Sequence, residues 1–349
     1  MNKPKDVTIY DLARALKMSP STVSRGLKDH PEINKNTKKK ILQMARQMEY
    51  RSNTFASNLR RQSTHTIGVI LHELHSYFII SVLAGIEKAA SKAGYNLIIG
   101  HSSETAKLEA ANADNLFNKR VDGLIASLAY DTENLSHFEQ YKKKQIPVVF
   151  FDRVMEDQEG VKVIIDNYKN GYDATKHLIE QGCKNIAHIT GSLKRNVYAE
   201  RLRGYKEALE NAGLKYRESY VLENDLTEEA SVQAAHQVLK MKPLPDGIFI
   251  TKDLCAAIVM HTLKDLGKRV PEDIAIVGFN NDEISRIVEP QLTTVNYPGI
   301  TMGEIACIHL INHLGGISDI NLTQTIIIKS ELIIRGSSLK KTDALGKAL

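Results

Sequence analysis

The sequence has few cysteines and no long apolar run. Its three cysteines, Cys183, Cys255 and Cys307, are scattered and form no C-x-x-C pair, which is typical of free buried thiols in a reducing compartment. No apolar stretch approaches the roughly 20 residues that a membrane-spanning helix needs. The N-terminus also has no apolar region of the kind found in a signal peptide. We therefore expect a cytoplasmic protein.

Common motifs of catalysis and metal binding are also missing. The sequence has no G-x-x-x-x-G-K-[ST] phosphate loop, no H-E-x-x-H pair and no G-x-S-x-G nucleophile motif. Its 12 histidines do not cluster at the spacing of metal ligands. The sequence therefore predicts no catalytic residue, no metal and no cofactor.

Charge is distributed unevenly along the chain. Residues 1–63 hold 14 Lys and Arg against 5 Asp and Glu, a balance of +9, whereas the other 286 residues hold 32 against 36, a balance of −4. A basic head on a mildly acidic body is typical of nucleic-acid binding. The alternative is that the lysines expected to face outward, Lys35 and Lys38–Lys40, only form a solvated helix face.

Short helices with N-terminal caps are predicted in this basic head. Thr8 and Asp11 resemble a capping box before a run whose apolar residues have the spacing of one helical face, Ile9, Leu12, Ala13 and Leu16. Ser19 caps a second helix, with Pro20 at its first position, where a missing N–H costs nothing. Asn34 caps a third. A helix of about two turns close behind another is the helix-turn-helix arrangement, which lays its second helix in the major groove of DNA.

Five sequence features together identify a known pattern: Val7-Thr-Ile-Tyr-Asp-Leu-Ala13, Ser21-Thr-Val-Ser-Arg25, Thr37 with its lysines, Tyr50, and Leu332-Ile-Ile-Arg-Gly-Ser337. The chain resembles the lac repressor family of bacterial transcription regulators over nearly its full length. The resemblance implies a homodimer that reads a near-palindromic operator under the control of a small effector. Most members repress and some activate. One departure is Lys17, at a turn where many relatives have Gly.

The resemblance and the helix-turn-helix pattern together predict the DNA contacts. Arg25 is the candidate for a bidentate contact to guanine, and Pro20 contributes only apolar contact. The full set of predicted DNA-binding residues is Thr8, Ser19, Pro20, Ser21, Thr22, Ser24, Arg25, Thr37, Tyr50, Asn53, Ala56, Ser57 and Leu59.

Residues 52–63 correspond to the hinge of the family. Short isolated helices are marginal in water, so we expect this segment to be helical only when it packs against its twin on DNA. By resemblance, Leu59 is a wedge that enters the minor groove at the operator centre, where unstacking a base step allows a bend with more contacts. The alternative is that Leu59 is an ordinary packing residue.

The rest of the chain alternates strand-like apolar runs with helical stretches. The runs are 67–71, 96–99, 123–126, 147–151, 161–165, 186–189, 247–250 and 274–277. This alternation predicts parallel sheets with helices on both faces, and the pattern occurs twice. The predicted fold is therefore an all-α helix-turn-helix head and an α/β sensor with two parallel-sheet lobes, which by resemblance is periplasmic-binding-protein-like (type I).

Domain boundaries follow from these patterns. We predict a DNA-binding domain at 1–51, the hinge at 52–63 and an effector-binding and dimerisation domain at 64–337. Lobe 1 takes about 64–164 and 295–323, and lobe 2 takes about 165–293 and 324–337. The polar stretch 338–349 is predicted to be a flexible tail.

Effector-binding residues are expected where strands end, because ligands of open α/β sheets lie beyond the carboxyl ends of the strands. By resemblance, the first Arg of the R-L-x-G-aromatic motif, Arg201, points into the cleft and binds effector oxygens. The full predicted set is Tyr77, Phe78, Asp152, Arg195, Arg201, Leu226, Lys252 and Asn280.

These side chains suggest a class of effector. Asp152 and Arg201 suit a hydroxyl-rich ring, which predicts a carbohydrate or a derivative of one. Lys252 adds a cation and favours an anionic form, unless it points to solvent. Asn280 stands where the family often has Asp, and an amide can donate as well as accept.

Two other classes of function remain open. One is an enzyme, a DNA-binding head fused to a sugar- or nucleotide-converting domain, which a nucleophile–base pair or a phosphate loop would reveal. The other is a transport binding protein, against which the basic head and the missing signal peptide argue. We favour a regulator that acts at the nucleoid.

Overall fold

The computed structural model describes residues 7–50, 63–155, 160–322 and 325–340. They fall into two compact units, Met1–Thr64 and His65–Leu349, here called the head and the body. In the described part, no helix is long and apolar enough to cross a membrane.

The head contains the three predicted helices, α1 (Ile9–Leu16), α2 (Pro20–Leu27) and α3 (Lys35–Gln47). The predicted capping box is present, because Thr8 Oγ1 accepts from the N–H of Asp11 and the Asp11 side chain accepts from the N–H of Thr8. Lys17 ends α1 in the left-handed conformation, with φ 50°. The turn requires this backbone conformation, which Gly adopts more easily than an L-residue such as Lys.

A small apolar core joins the three helices of the head. Its buried residues are Leu12, Ala13, Val23, Ile41 and Ala45. Gly26 allows α2 to lie close to α3, because a Cβ there would be 2.3 Å from Ile41 Cδ1.

The described residues of the body form two sheets of six strands each. The first is entirely parallel and has the order β11-β5-β4-β3-β1-β2. Its strands are β1 (Thr66–Leu71), β2 (Asn96–His101), β3 (Gly123–Ala126), β4 (Val148–Phe151), β5 (Val161–Ile165) and β11 (Thr325–Ile328).

The second sheet has the order β12-β10-β9-β8-β6-β7 and is parallel except for β12, which runs antiparallel to β10. Its strands are β6 (Ile186–Thr190), β7 (Val221–Glu223), β8 (Gly247–Ile250), β9 (Ala275–Asn280), β10 (Thr293–Asn296) and β12 (Leu332–Ile333). The predicted fold of two parallel-sheet lobes is therefore confirmed.

Helices cover both sheets. The body helices are α4 (Tyr77–Lys92), α5 (Ala106–Asn118), α6 (Glu139–Lys143), α7 (Asn167–Glu180), α8 (Asn196–Asn211), α9 (Glu228–Lys240), α10 (Asp253–Asp265), α11 (Ile284–Ile287) and α12 (Gly299–Leu314). Helices α4 and α12 pack together in lobe 1, and α7 and α8 pack together in lobe 2. Within the described residues the chain passes between the lobes three times, after Ile165, after Asn296 and between Ile328 and Leu332.

The predicted lobe boundaries are wrong in two places. The sequence places 324–337 in lobe 2, but β11 pairs with β5 in the first sheet. It also places residue 295 in lobe 1, but β10 pairs with β9 in the second sheet up to Asn296. An apolar run pairs with whichever sheet edge is open to it, and the sequence pattern does not reveal which edge that is.

The predicted tail also begins too early. Ser338 is fully buried, and its hydroxyl lies 2.7 Å from His177 Nε2 and 2.6 Å from Thr293 Oγ1. These bonds fix the end of the second lobe to its core. Residues 341–349, the rest of the predicted tail, lie outside the described residues.

Candidate DNA-binding surface and effector cleft

Helix α2 presents the polar face that the sequence predicts for DNA reading. Pro20, Ser21 and Arg25 are exposed, whereas Thr22 and Ser24 are half-buried. Arg25 Nη1 donates to Glu32 Oε2 at 2.8 Å, and the two side chains are 56% and 65% exposed. An exposed pair of this kind contributes little to stability, so Arg25 can leave Glu32 at small cost in free energy.

Other predicted DNA contacts also hold the head together. Ser19 Oγ accepts from the N–H of Thr22 at 3.1 Å, which caps α2. The N–H of Thr37 donates to Asn34 Oδ1 at 2.8 Å, and half-buried Tyr50 packs against the apolar core. Their contacts to DNA stay predictions.

Lys38 departs from its predicted outward position. It is half-buried, with Nζ 2.7 Å from Asp29 Oδ1 and 3.1 Å from the Asp29 carbonyl oxygen. It therefore holds the loop between α2 and α3, because Asp29 supplies two acceptors within its reach. The predicted hinge contacts, Asn53, Ala56, Ser57 and Leu59, lie outside the described residues.

The body has a cavity between the carboxyl ends of the strands of both sheets. Lobe 1 contributes residues that follow β1 and β4, and lobe 2 contributes residues that end β9, follow β8 and open α8. The lining residues are His72, Glu73, Ser76, Phe78, Asp152, Arg153, Val197, Tyr198, Arg201, Thr251, Lys252, Asn280 and Tyr297. Five of the eight predicted effector residues are among them.

Asp152 is held at the floor of this cavity. It follows β4 with φ 58°, and its N–H donates to the Val163 carbonyl. The buried carboxylate accepts a hydrogen bond from the hydroxyl of Tyr297. Burial raises the pKa of Asp152, and the neighbouring charge of Arg153 and the Tyr297 hydrogen bond oppose that shift.

Arg201 is fixed by the packing of α8 on α7. Gly171 of α7 lies so close to it that a Cβ there would be 2.3 Å from the Arg201 carbonyl oxygen. Its buried guanidinium donates from Nε to Asn167 Oδ1 at 2.9 Å and from Nη1 to the Thr251 carbonyl at 3.2 Å. Burial lowers the pKa of Arg201.

Lys252 does not point to solvent. Its Nζ lies 2.8 Å from Glu73 Oε1, and the side chains are only 18% and 21% exposed. Burial lowers the pKa of Lys252, but the charge and hydrogen bond of Glu73, together with Tyr198 and Asp282, raise it, and the net shift is upward. The cation predicted for the cleft is therefore present and paired.

Aromatic rings form one wall of the cavity. Phe78 and Tyr297 are stacked, with ring centroids 4.0 Å apart. Asn280, at the end of β9, has φ 115°, and its Nδ2 lies 3.4 Å from Asp282 Oδ2.

Three predicted effector residues lie outside the cavity lining. Tyr77 is exposed in the first turn of α4, with its hydroxyl 3.3 Å from Glu283 Oε1. Leu226 is buried in the apolar core of lobe 2, where a large aliphatic side chain is driven out of water. Buried Arg195 donates from Nη2 to the Thr132 carbonyl at 2.6 Å, and its Nε and Nη1 have no partner.

The sequence analysis missed several lining residues. The strand-end rule, applied to β1 and β8, would have found His72, Glu73 and Thr251. Tyr297 follows β10, whose sequence Thr-Thr-Val-Asn is not a continuous apolar run of the kind used to place the other strands. No local pattern marks Tyr198, which opens α8.

Side chains join the two lobes around the cavity. The hydroxyls of Tyr130 and Tyr198 lie 3.1 Å apart, and Asn196 Oδ1 accepts from the N–H of Val154 at 3.0 Å. Asn196 Nδ2 donates to the Asp152 carbonyl at 3.2 Å. The cavity volume is only about 30 Å³, so the cleft is closed.

Comparison with known proteins decides the family. The sequence pattern described as "Bacterial regulatory proteins, lacI family" matches residues 8–53, and "Periplasmic binding protein-like domain" matches residues 175–338. The chain is 36% identical to catabolite control protein A of Priestia megaterium over 86% of its length and 90% of that protein. The chain belongs to the lac repressor family. It is therefore a DNA-binding transcriptional regulator, as the sequence predicts.

Other transcription regulators are similar over almost the full chain. The transcriptional repressor PurR of Yersinia enterocolitica is 31% identical over 95% of this chain and 96% of that protein. The CelR–cellobiose complex is 25% identical, with a TM-score of 0.72 over 95% of this chain and 99% of that one. The lac repressor dimer bound to operator has a TM-score of 0.85 at 22% identity, over 96% and 100% of the two chains, which shows the shared fold.

Proposed function

We propose that this chain is a homodimeric transcriptional repressor of a near-palindromic operator, whose DNA affinity is controlled by a small effector bound between the lobes. The observation that carries the proposal is the convergence of Phe78, Asp152, Arg201, Lys252 and Asn280 on one cavity. These residues come from both lobes, so a ligand that contacts them changes the free energy of cleft closure.

The effector is a carbohydrate or a derivative, and an anionic form is favoured. Within the described residues, Arg201 is a buried cation at the cavity lining with no ion pair, and the oxygens that it contacts are neutral. Buried charges need compensation, and an acidic group on the ligand supplies it. CelR, a relative, is complexed with a sugar, cellobiose.

Binding of such an effector requires the cleft to widen. Small-molecule sites occupy about 300–1,000 Å³, whereas this cavity has about 30 Å³. The hydrogen bonds that join the lobes are the contacts that an effector must replace. Effector binding and lobe movement are therefore coupled.

An exposed apolar surface on lobe 1 supports the dimer. Strand β2 lies at the edge of the first sheet and exposes Ile98 and Ile99, while the adjoining helices α4 and α5 expose Ile80 and Leu108. An edge strand with exposed apolar side chains needs a cover, and a second copy of the chain provides one. The lac repressor dimer is a relative by fold.

We propose no catalytic activity for the chain, and we place its action at the nucleoid of the bacterial cytoplasm. The relatives named above are transcription regulators, and DNA is the partner of the head. This assignment sets the enzyme and transport hypotheses aside.

A two-step screen tests the proposal. Thermal shift is measured with sugars, sugar phosphates and nucleobases, and each hit is added to the full chain bound to an operator selected from random DNA. We expect a sugar or sugar phosphate to raise the melting temperature and to change operator affinity. A ligand that raises the melting temperature without changing operator affinity contradicts the regulatory role, and a nucleobase hit contradicts the sugar class.

A further inference from the structure

Lys252 and Glu73 face each other from opposite lobes. Glu73 follows β1 in lobe 1, and Lys252 follows β8 in lobe 2. Their 2.8 Å ion pair lies at the cavity lining, and both side chains are about four-fifths buried, with exposures of 18% and 21%. The pair therefore spans the cleft at the place where an effector would bind.

Two neighbouring carboxylates, Glu104 and Asp152, are bound to other groups. Both oxygens of Glu104 accept from Arg153 Nη1, at 2.9 and 2.6 Å, and Asp152 accepts from Tyr297. Lys252 begins α10 at the N-cap position and makes no side-chain cap bond. Glu73 is its ion-pair partner among the described residues.

We propose that the Glu73 carboxylate is an internal competitor of the effector: it occupies, at Lys252, the position of the effector's acidic group and keeps the cleft closed when no effector is bound. This inference rests on the proposed function and adds how the site selects anionic effectors over neutral ones. An anionic ligand can form an ion pair with Lys252 only by displacing the Glu73 carboxylate. A neutral sugar has no charged group that can take the place of that carboxylate.

The proposal has a definite consequence for affinity. Glu73→Gln keeps the size of the side chain and removes its charge, so the cation of Lys252 becomes available to a ligand anion. Lys252→Met removes the cation itself and should abolish that gain. Glu133→Gln is the matched control, because Glu133 pairs with Lys194 across the same two lobes at 3.7 Å but is 76% exposed and does not line the cavity.

Titration calorimetry of the DNA-free full chain with inorganic phosphate, at constant ionic strength, tests whether Glu73 competes with a ligand anion for Lys252. We expect Glu73→Gln to bind phosphate at least about tenfold more tightly than the parent, which corresponds to about 1.4 kcal/mol. Glu133→Gln should bind as the parent does, and adding Lys252→Met to Glu73→Gln should remove the gain. Equal binding by Glu73→Gln and the parent, no binding by either, an equal gain in Glu133→Gln, or a gain that survives Lys252→Met overturns the proposal.

A distance measurement tests the second part, closure without effector. Spin labels at Lys119→Cys in lobe 1 and Lys240→Cys in lobe 2 suit it, because both positions are exposed and the native cysteines are buried. Glu73→Gln and Lys252→Met should broaden the interlobe distance distribution of the ligand-free chain, and Glu133→Gln should not. Unchanged distributions in both cleft variants refute closure by this pair.

These outcomes separate the inference from the proposed function. A phosphate gain in Glu73→Gln, with no sugar or sugar phosphate active on operator binding, supports the competitor and rejects the function. If a sugar or sugar phosphate changes operator binding but Glu73→Gln binds phosphate as the parent does, the proposed function is supported and the competitor role of Glu73 is rejected.

Discussion

The guanidinium of Arg201 lies over the ring of Phe279, with Cζ 3.5 Å from the ring centroid. The ring face attracts the cation, and Asn167 and the Thr251 carbonyl hold two of its nitrogens. Arg201 is thus oriented before any ligand arrives, so little side-chain entropy is lost when an effector oxygen binds to it.

Arg201→Ala should abolish the effector response and leave operator binding in the absence of effector unchanged. Loss of a hydrogen bond to a charged group is worth ~1.5–3 kcal/mol, which weakens the effector by about one to two orders of magnitude. Calorimetry with the effector and gel-shift titration with the operator check the two halves. Arg203→Ala, on the same helix but exposed and paired with Glu200, is the control, and an equal effector loss in both variants would contradict the role of Arg201.

Arg25→Ala should cost ~1–3 kcal/mol on the operator and little on random DNA, because a bidentate contact to guanine is lost. Fluorescence anisotropy with both DNAs measures the difference. Glu32→Gln, which removes the partner of Arg25, should bind the operator at least as well as the parent. If Arg25→Ala weakens both DNAs equally, Arg25 is a phosphate contact.

Operator binding should weaken steeply between low and physiological salt. The +9 balance of residues 1–63 implies that Lys and Arg neutralise phosphates and release counterions. A plot of log K against log salt for the full chain measures the effect. Lys40→Gln, at an exposed position of α3, should reduce the slope by about 1 if Lys40 contacts a phosphate. A nearly flat plot for the parent would rule out the electrostatic contribution.

Asp253→Asn should flatten the pH dependence of stability. Burial, followed by the Asp282 carboxylate, raises the pKa of Asp253 to about 7 from 3.8. The folded state therefore holds a proton that the unfolded state releases, and the contribution of Asp253 to the free energy of unfolding falls as pH rises from 3.8 to about 7.

Melting temperatures across that pH range test this prediction. As pH rises, the parent should lose stability relative to Asp253→Asn, because only the parent has the carboxyl whose pKa is raised in the folded state. Asp273→Asn is the control, because its hydrogen bonds with Arg269 lower the pKa of Asp273 to about 2, below the range tested. Parallel curves for Asp253→Asn and the parent would show that Asp253 does not titrate there.

Local signals predicted much of the molecule. The caps at Thr8, Ser19 and Asn34 are present because a cap involves residues only three positions apart. Asp152 and Asn280 were found because each comes at the end of a strand, and parallel strands end at one edge.

Contacts between distant residues were not predicted. Glu73 is 179 residues from Lys252, and their meeting depends on how the two lobes close. Leu226 was expected in the cleft but packs in the core of lobe 2, where its aliphatic side chain is removed from water. Such outcomes depend on tertiary packing, which outweighs local preference.

The three passages between the lobes that the described part of the chain makes restrict how the body can move. A single connecting segment would let one lobe rotate about the other in any direction, whereas three connecting segments restrict that rotation. Bending at the three connecting segments needs small changes in a few backbone dihedral angles, but sliding one lobe past the other would stretch at least one segment. The lobes therefore have one soft motion, which opens and closes the cleft, and a ligand that binds there acts on that motion directly.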